Sequence, residues 1–169
     1  MNTGGHELRF VDGAPDITHL PCDKLVTGEG AEYMRRYYTR HPHGQQARFH
    51  HIVASDPGRD MHDHPWDFIS TLLAGTYTEH TPGGAVEYHA PCVIVRKAEQ
   101  LHRLELTDGP VWSYVVLGRR RRQWGFMTAD GWVRYDLSAE VGRIAGCSPG
   151  APPGTGHARR RRRPGGRQW

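Results

Sequence analysis

The amino-acid sequence predicts an all-β protein, either a sandwich or a barrel, with its strands between residues 45 and 137. Two observations favour this class. The chain of 169 residues contains 21 glycines and 12 prolines, so turns are frequent, and Tyr, Trp, Val and Thr occur in short runs between those turns. Turn signals also recur at regular intervals along the middle of the chain, as they do between antiparallel strands.

The central segment divides into about nine short runs of strand length. We predict strands over residues 47–54, 68–73, 76–80, 86–89, 92–96, 101–106, 111–117, 123–128 and 132–135. Turn-forming sequences separate several of them, namely Ser55-Asp56-Pro57-Gly58, Thr81-Pro82-Gly83-Gly84 and Thr107-Asp108-Gly109-Pro110. Ala129-Asp130-Gly131 predicts a hairpin between the last two strands.

Residues 1–44 are predicted to form an arm ahead of this barrel domain of residues 45–137. We expect one short strand near residues 7–11 and one short helix over residues 29–38. The helix is predicted because two pairs of apolar side chains are spaced four residues apart: Tyr33 with Tyr37, and Met34 with Tyr38.

The positive charge of the chain is concentrated near its end. Lys and Arg number 22 against 18 for Asp and Glu, a formal charge of +4, and five of the arginines are consecutive at residues 159–163. The body is therefore close to neutral, and we do not expect it to bind nucleic acid. Residues 138–169 are predicted to be a flexible tail, because after residue 145 they become rich in Gly, Pro and Arg.

The same sequence argues against a membrane protein. No apolar run approaches the ~18–20 residues that cross a bilayer. The first 15 residues carry Glu7, Arg9 and Asp12 in place of the apolar stretch of a signal peptide. We therefore expect a cytoplasmic protein. The cysteines are widely spaced and form no CxxC pair, so a zinc ribbon is not predicted.

Three histidines are candidate metal ligands. His62 and His64 are separated by one residue, so in an extended chain their side chains point the same way. His102 shares a strand face with Leu104 and Leu106, so it is expected to point into the apolar interior, where a metal would satisfy its ring. With 12 histidines in the chain, an isolated His-x-His arises by chance, and the surrounding sequence has to support it.

That surrounding sequence resembles the cupin superfamily. Gly58, His62, His64 and Gly75 match the first cupin motif, and residues 97–103 resemble the second, although without its usual Pro and Gly. The resemblance covers roughly residues 48–117 and extends loosely to 135. It implies a jelly-roll β-barrel that holds one divalent metal ion.

One departure from the motif affects the ligand set. The usual Glu ligand falls at Phe68, seven residues before Gly75, and Phe cannot bind a metal. A three-histidine site, as in cupins that resemble cysteine dioxygenase, is the first alternative. Asp67 after a bulge or Asp60 nearer the turn would supply a carboxylate in the other two. The three-histidine set is favoured, because strand alternation places Asp67 on the face opposite His64.

The resemblance implies Fe(II), although the same ligands also suit Zn, Ni, Cu or Mn. Three neutral imidazoles leave the ion its charge and open positions, as a catalytic site requires. We therefore expect an Fe(II) non-haem oxygenase that acts on a small, carboxylate-bearing molecule with O₂. A non-redox isomerase or lyase and a ligand-binding module without catalysis are the alternatives. By analogy with other cupins, a homodimer is also expected.

Residues near the histidines complete the predicted site. Side chains on the face of His64, and arginines able to hold a carboxylate if they point inward, are predicted to contact substrate: Arg48, Trp66, Phe68 and Arg96. For the arginines, the alternative is a place on the solvated face. Residues able to move a proton or donate a hydrogen bond are predicted to be catalytic: His50, Tyr77 and Tyr114.

Overall fold

The structure, a computed structural model, describes residues 2–3, 6–7, 10–11, 14–17, 22–28 and 31–135. Every regular element among these residues is a strand, which confirms the predicted all-β class. In chain order the strands are β1 (Asn2–Thr3), β2 (His6–Glu7), β3 (Phe10–Val11), β4 (Ala14–Pro15), β5 (Lys24–Gly28), β6 (Ala31–Arg40), β7 (Gln46–Ile52), β8 (Met61–His62), β9 (Phe68–Ala74), β10 (Thr76–Thr81), β11 (Gly84–His89), β12 (Cys92–Arg96), β13 (Arg103–Leu106), β14 (Val111–Leu117), β15 (Gly125–Thr128) and β16 (Gly131–Arg134). The predicted tail lies outside the described residues.

Twelve of the strands form two layers, while β1-β2 and β3-β4 are separate two-stranded sheets. The larger layer is a six-stranded antiparallel sheet in the order β12-β9-β14-β7-β6-β5. The facing layer consists of two three-stranded sheets, β11-β10-β13 and β16-β15-β8. An isolated antiparallel bridge between His62 and His102 joins these two small sheets. Two of the candidate ligands therefore lie at this join.

The segment predicted as a helix is a strand, so that prediction was wrong. Ala31–Arg40 pairs with β5 on one side and with β7 on the other, in a register that runs from Met34 opposite Ile52 to Arg40 opposite Gln46. A spacing of four residues is a multiple of the strand period as well as close to one helical turn. Hydrogen bonding to β5 and β7, the strands just before and just after it in the chain, decided between the two structures, and the spacing within the segment does not show these partners.

Both faces of the large sheet are buried near its centre. One apolar cluster lies between the two layers and includes Met34, Ile52, Leu72, Tyr77, Ile94 and Val111. The other lies on the outer face and includes Tyr37, Phe49, Trp112 and Tyr114, covered by Ile17 and Cys22 from the preceding arm. The strand β14 lies between the two clusters, and for this reason its sequence is apolar on both faces.

Among the described residues, no helix has the length and apolar character that crossing a bilayer demands.

Gly75 is a position where the fold depends on glycine. Its φ is +88°, and a Cβ there would lie 2.7 Å from Cγ1 of Val111 and 2.9 Å from the carbonyl oxygen of Pro110. We expect Gly75→Ala to lower the free energy of unfolding by about 2–4 kcal/mol, because backbone strain and overpacking add. Denaturant unfolding would measure this. Gly83→Ala is the control, since its Cβ would meet nothing closer than 3.6 Å, and an equal loss in both variants would contradict the expectation.

Candidate metal centre

The backbone brings the three histidines together. The amide of His62 donates to the carbonyl of His102 at 2.8 Å, and the amide of His102 donates back at 2.9 Å. His64 is held two residues further on, where its amide donates to the carbonyl of Ala98 at 2.8 Å. The three ring centres are 4.8–5.0 Å apart, and one ring nitrogen from each lies within 4.8 Å of the others. Strand alternation and one bridge thus place three imidazoles around a common point.

The ring nitrogens are oriented as metal ligands require. Nδ1 of His102 lies 2.7 Å from Oε1 of Glu79, so it donates its proton there and Nε2 keeps a lone pair. That Nε2 lies 2.8 Å from Nε2 of His64, so the two atoms need a proton or a cation between them. Three imidazole nitrogens converging on one point fit a divalent transition metal ion.

Burial keeps the other two rings neutral. Desolvation lowers the pKa of His62 to about 4, although the nearby Asp56 carboxylate acts in the opposite direction. Desolvation, followed by repulsion from His62 and His102, lowers the pKa of His64 well below its usual value. Near neutral pH both rings are therefore neutral, and each keeps one nitrogen lone pair that can bind a metal.

Glu79 holds His102 in place, and sequence reasoning missed it. Its side chain is 2% exposed, and it is hydrogen-bonded to His102 and to Arg96, whose Nε lies 2.9 Å from Oε1. Burial alone would raise the pKa of Glu79, but the hydrogen bonds from His102 and Arg96 outweigh it and hold the pKa at about 2. The available signal was strand alternation, since Glu79 lies on the same face as Tyr77, which was predicted to be catalytic.

Asp63, the residue between the two motif histidines, is also buried and was missed. Its carboxylate accepts hydrogen bonds from the Gly125 amide at 2.7 Å and from Nε1 of Trp132 at 2.9 Å, and it pairs with Arg122. These contacts tie the ligand-bearing segment to the β15–β16 hairpin. The side chain of Asp63 therefore fixes the backbone on which His62 and His64 are carried.

The structure does not bring either candidate carboxylate to the histidines. Asp67 accepts the Ala98 amide at 2.7 Å and pairs with Arg121 at 2.6 Å, as strand alternation indicated. Asp60 is exposed at the edge of the pocket. Among the described residues, the group of converging ligand atoms contains histidine alone. The ring of Phe68 packs 4.8 Å from that of His64, where the usual motif would have its Glu.

The histidines lie in a pocket of about 470 Å³ between the two layers. Most of the predicted site residues line it: Arg48, His50, Trp66, Phe68 and Tyr77. The guanidinium of Arg48 lies over the rings of Tyr38 and Trp66, at 5.4 and 5.1 Å from their centres. Nε2 of His50 is buried and has no hydrogen-bond partner among the described residues.

The structure corrects two of the predicted roles. Tyr114 lies on the outer face of the large sheet, where its ring packs 4.9 Å from Phe49, so it is not in the pocket. Arg96 borders the pocket, but its guanidinium is bound to Glu79 and to the hydroxyl of Tyr88, which leaves it unavailable for a substrate carboxylate. Its contact with Glu79 makes Arg96 a support for His102.

No family model matches the chain, and no curated protein matches it. Among solved structures, the DMSP lyase DddQ from Ruegeria pomeroyi matches with 17% identity over 61% of this chain and 59% of its own length, at a TM-score of 0.47. A Cupin 2 conserved barrel domain protein from Salinispora arenicola matches with 16% identity over 51% of this chain and 76% of its own, at 0.42. A Klebsiella pneumoniae protein with a double-stranded beta-helix domain matches with 17% identity over 59% of this chain and 82% of its own, at 0.43. The match thus spans less than two thirds of the lyase, and the solved structures that this chain is similar to include cupin and double-stranded β-helix proteins.

Proposed function

We propose that this protein is a metal-dependent enzyme of the non-haem iron oxygenase class, which acts on a small carboxylate-bearing molecule with O₂. The observation that carries the proposal is the convergence of His62, His64 and His102 in a pocket large enough for a small organic molecule. Ferrous iron held by three neutral imidazoles would supply a redox-active cation with open coordination positions.

The chain's own residues prepare the pocket for such a reaction. Glu79 fixes the ring of His102 and its tautomer through Nδ1. Phe68 packs edge-on against His64 and keeps water from that side of the ring. Arg48, held between two aromatic rings, presents a guanidinium that can pair with a substrate carboxylate.

Metal content and O₂ consumption test this proposal. Protein purified without an affinity tag and reconstituted anaerobically with Fe(II) is expected to retain about one iron per chain. It should then consume O₂ when a suitable substrate from a panel of small carboxylic acids is added. The exposed-histidine variant His89→Ala should behave like the original protein. Iron-loaded protein that consumes no O₂ across the panel would contradict the oxygenase assignment.

His50 favours a second candidate, a non-redox lyase or isomerase. His50 lines the pocket, and its buried Nε2 has no hydrogen-bond partner among the described residues, so this nitrogen is free to contact a substrate proton. In that case a Zn- or Mn-loaded protein should convert substrate without O₂, and His50→Gln should reduce the rate by about 10²-fold or more. Loss of turnover when O₂ is removed would eliminate this candidate.

A further inference from the structure

Three cationic side chains lie together on the pocket wall formed by the edge of the large sheet. Lys24 on β5 is directly opposite Arg36 on β6, and Arg48 on β7 is paired with Tyr38, two residues along from Arg36. Directly opposite residues in an antiparallel pair have Cβ atoms about 5 Å apart, and diagonal neighbours are within reach of long side chains. Lys24, Arg36 and Arg48 all line the pocket that contains the histidines. We call these three residues the cationic wall.

The cationic wall has no acidic partner within the part of the chain that the structure describes. Arg36 makes one side-chain hydrogen bond there, from Nε to the sulfur of Met34 at 3.3 Å, and Arg48 contacts aromatic rings. The pocket's buried carboxylates are already engaged, Glu79 by Arg96 and His102, and Asp56 by the hydroxyl of Tyr33 and the amide of Leu104. Asp60 is exposed at the edge.

Such an arrangement destabilises an empty pocket. Like charges directly opposite each other in a sheet repel, and burying an unpaired cation is costly. Desolvation, followed by repulsion between the cations, lowers the pKa of Lys24 and of Arg48, and desolvation lowers that of Arg36. An anion in the pocket would remove this cost, because each cation would then gain a charged hydrogen-bond partner.

We propose that Lys24, Arg36 and Arg48 form an anion subsite for a substrate that carries two negative charges at one end, either a phosphate monoester or a pair of carboxylates. The assignment of this anion as part of the substrate rests on the proposed function and specifies its substrate class. Binding of the anion requires the cationic wall alone. The cationic wall and the three histidines line the same pocket, so a molecule anchored at the wall lies in the pocket that contains the candidate metal centre.

Binding to the metal-free full chain tests the subsite separately from catalysis. The metal is removed with a chelator, and the chelator is then removed in turn. Calorimetry would compare the affinity for inorganic phosphate and for malonate with the affinity for acetate. We expect at least one dianion to bind at least about tenfold more tightly than acetate, a difference of about 1.4 kcal/mol. Tighter binding of phosphate would identify the substrate's acid group as a phosphate, and tighter binding of malonate would identify it as a pair of carboxylates. A wild-type protein that binds neither dianion more tightly than acetate would overturn the proposal.

Substitutions locate the binding on the cationic wall. Arg36→Met and Arg48→Met should each weaken binding of the preferred dianion at least about tenfold. Arg35→Met is the matched control, because Arg35 is on the same strand but on the opposite face, paired with Glu32, and it should bind as the original protein does. Wild-type affinity in both Arg36→Met and Arg48→Met would also overturn the proposal.

Thermal unfolding separates lost binding from lost folding. Without anion, Arg36→Met should melt at the same temperature as the original protein or higher, because it removes an unpaired cation and keeps an apolar stem. With the dianion, the original protein should gain more in melting temperature than Arg36→Met does. If Arg36→Met does not fold, Arg48→Met decides the question by the same two measurements. A metal-loaded protein that fails to consume O₂ leaves these results unaffected, so the two proposals fail independently.

Discussion

His102→Ala is expected to abolish stoichiometric metal binding, the largest single effect on the candidate centre. His102 supplies one of three converging ring nitrogens, and its Nε2 is oriented toward that of His64 by the hydrogen bond from Nδ1 to Glu79. Two remaining imidazoles form a much weaker site than three. The affinity should therefore fall by more than the 10–100-fold that losing an outer partner of a ligand costs.

Metal analysis after equilibrium dialysis measures this loss. His89→Ala is the matched control, since His89 lies at the end of β11 with a side chain that is 67% exposed, remote from the converging group. It should retain the metal content of the original protein. Far-ultraviolet circular dichroism would establish that His102→Ala keeps its strands. A folded His102→Ala variant with undiminished metal content would show that the three histidines do not form the metal centre.

The site could be predicted to a large extent because strand alternation is local. Two histidines separated by one residue must share a face of an extended segment, and His102 was placed inside by its alternation with two leucines. The bridge that joins His62 to His102 then follows from antiparallel pairing. The face of each histidine could be inferred from neighbouring residues alone, whereas the meeting of His102 with His62 and His64 was implied by the resemblance to cupins.

The predictions that failed depended on strand pairing and packing that the pattern of one segment does not show. Tyr114 was expected in the pocket, but Ile17 of the arm covers the outer face of the sheet, so that face is buried too. Segment 29–38 was interpreted as a helix because a spacing of four fits both periods, and its strand partners were not evident. The cationic wall was missed for the same reason, since Lys24 and Arg36 join the pocket only when β5 and β6 extend the barrel sheet.

Glu79→Gln is expected to have the second large effect, on stability and on metal affinity together. Glu79 is 2% exposed and bridges Arg96 to His102, so a neutral side chain leaves the guanidinium without its anion inside the protein. Breaking a buried ion pair by removing one partner costs about 3–5 kcal/mol. The ring of His102 also loses its charged acceptor, so metal affinity should fall about 10–100-fold.

Glu105→Gln is the matched control, because it removes a different carboxylate from the same small sheet. Glu105 pairs with His80 and Arg103, but its side chain is 47% exposed. Water screens these ion pairs, so the substitution should have little effect on stability and leave metal affinity unchanged. Denaturant unfolding and metal titration of both variants give the comparison. Equal losses in Glu79→Gln and Glu105→Gln would mean that the buried carboxylate does not orient His102. A loss of stability and metal affinity confined to Glu79→Gln would mean that the contacts from Arg96 to Glu79 and from Glu79 to His102 hold the metal-binding ring in position.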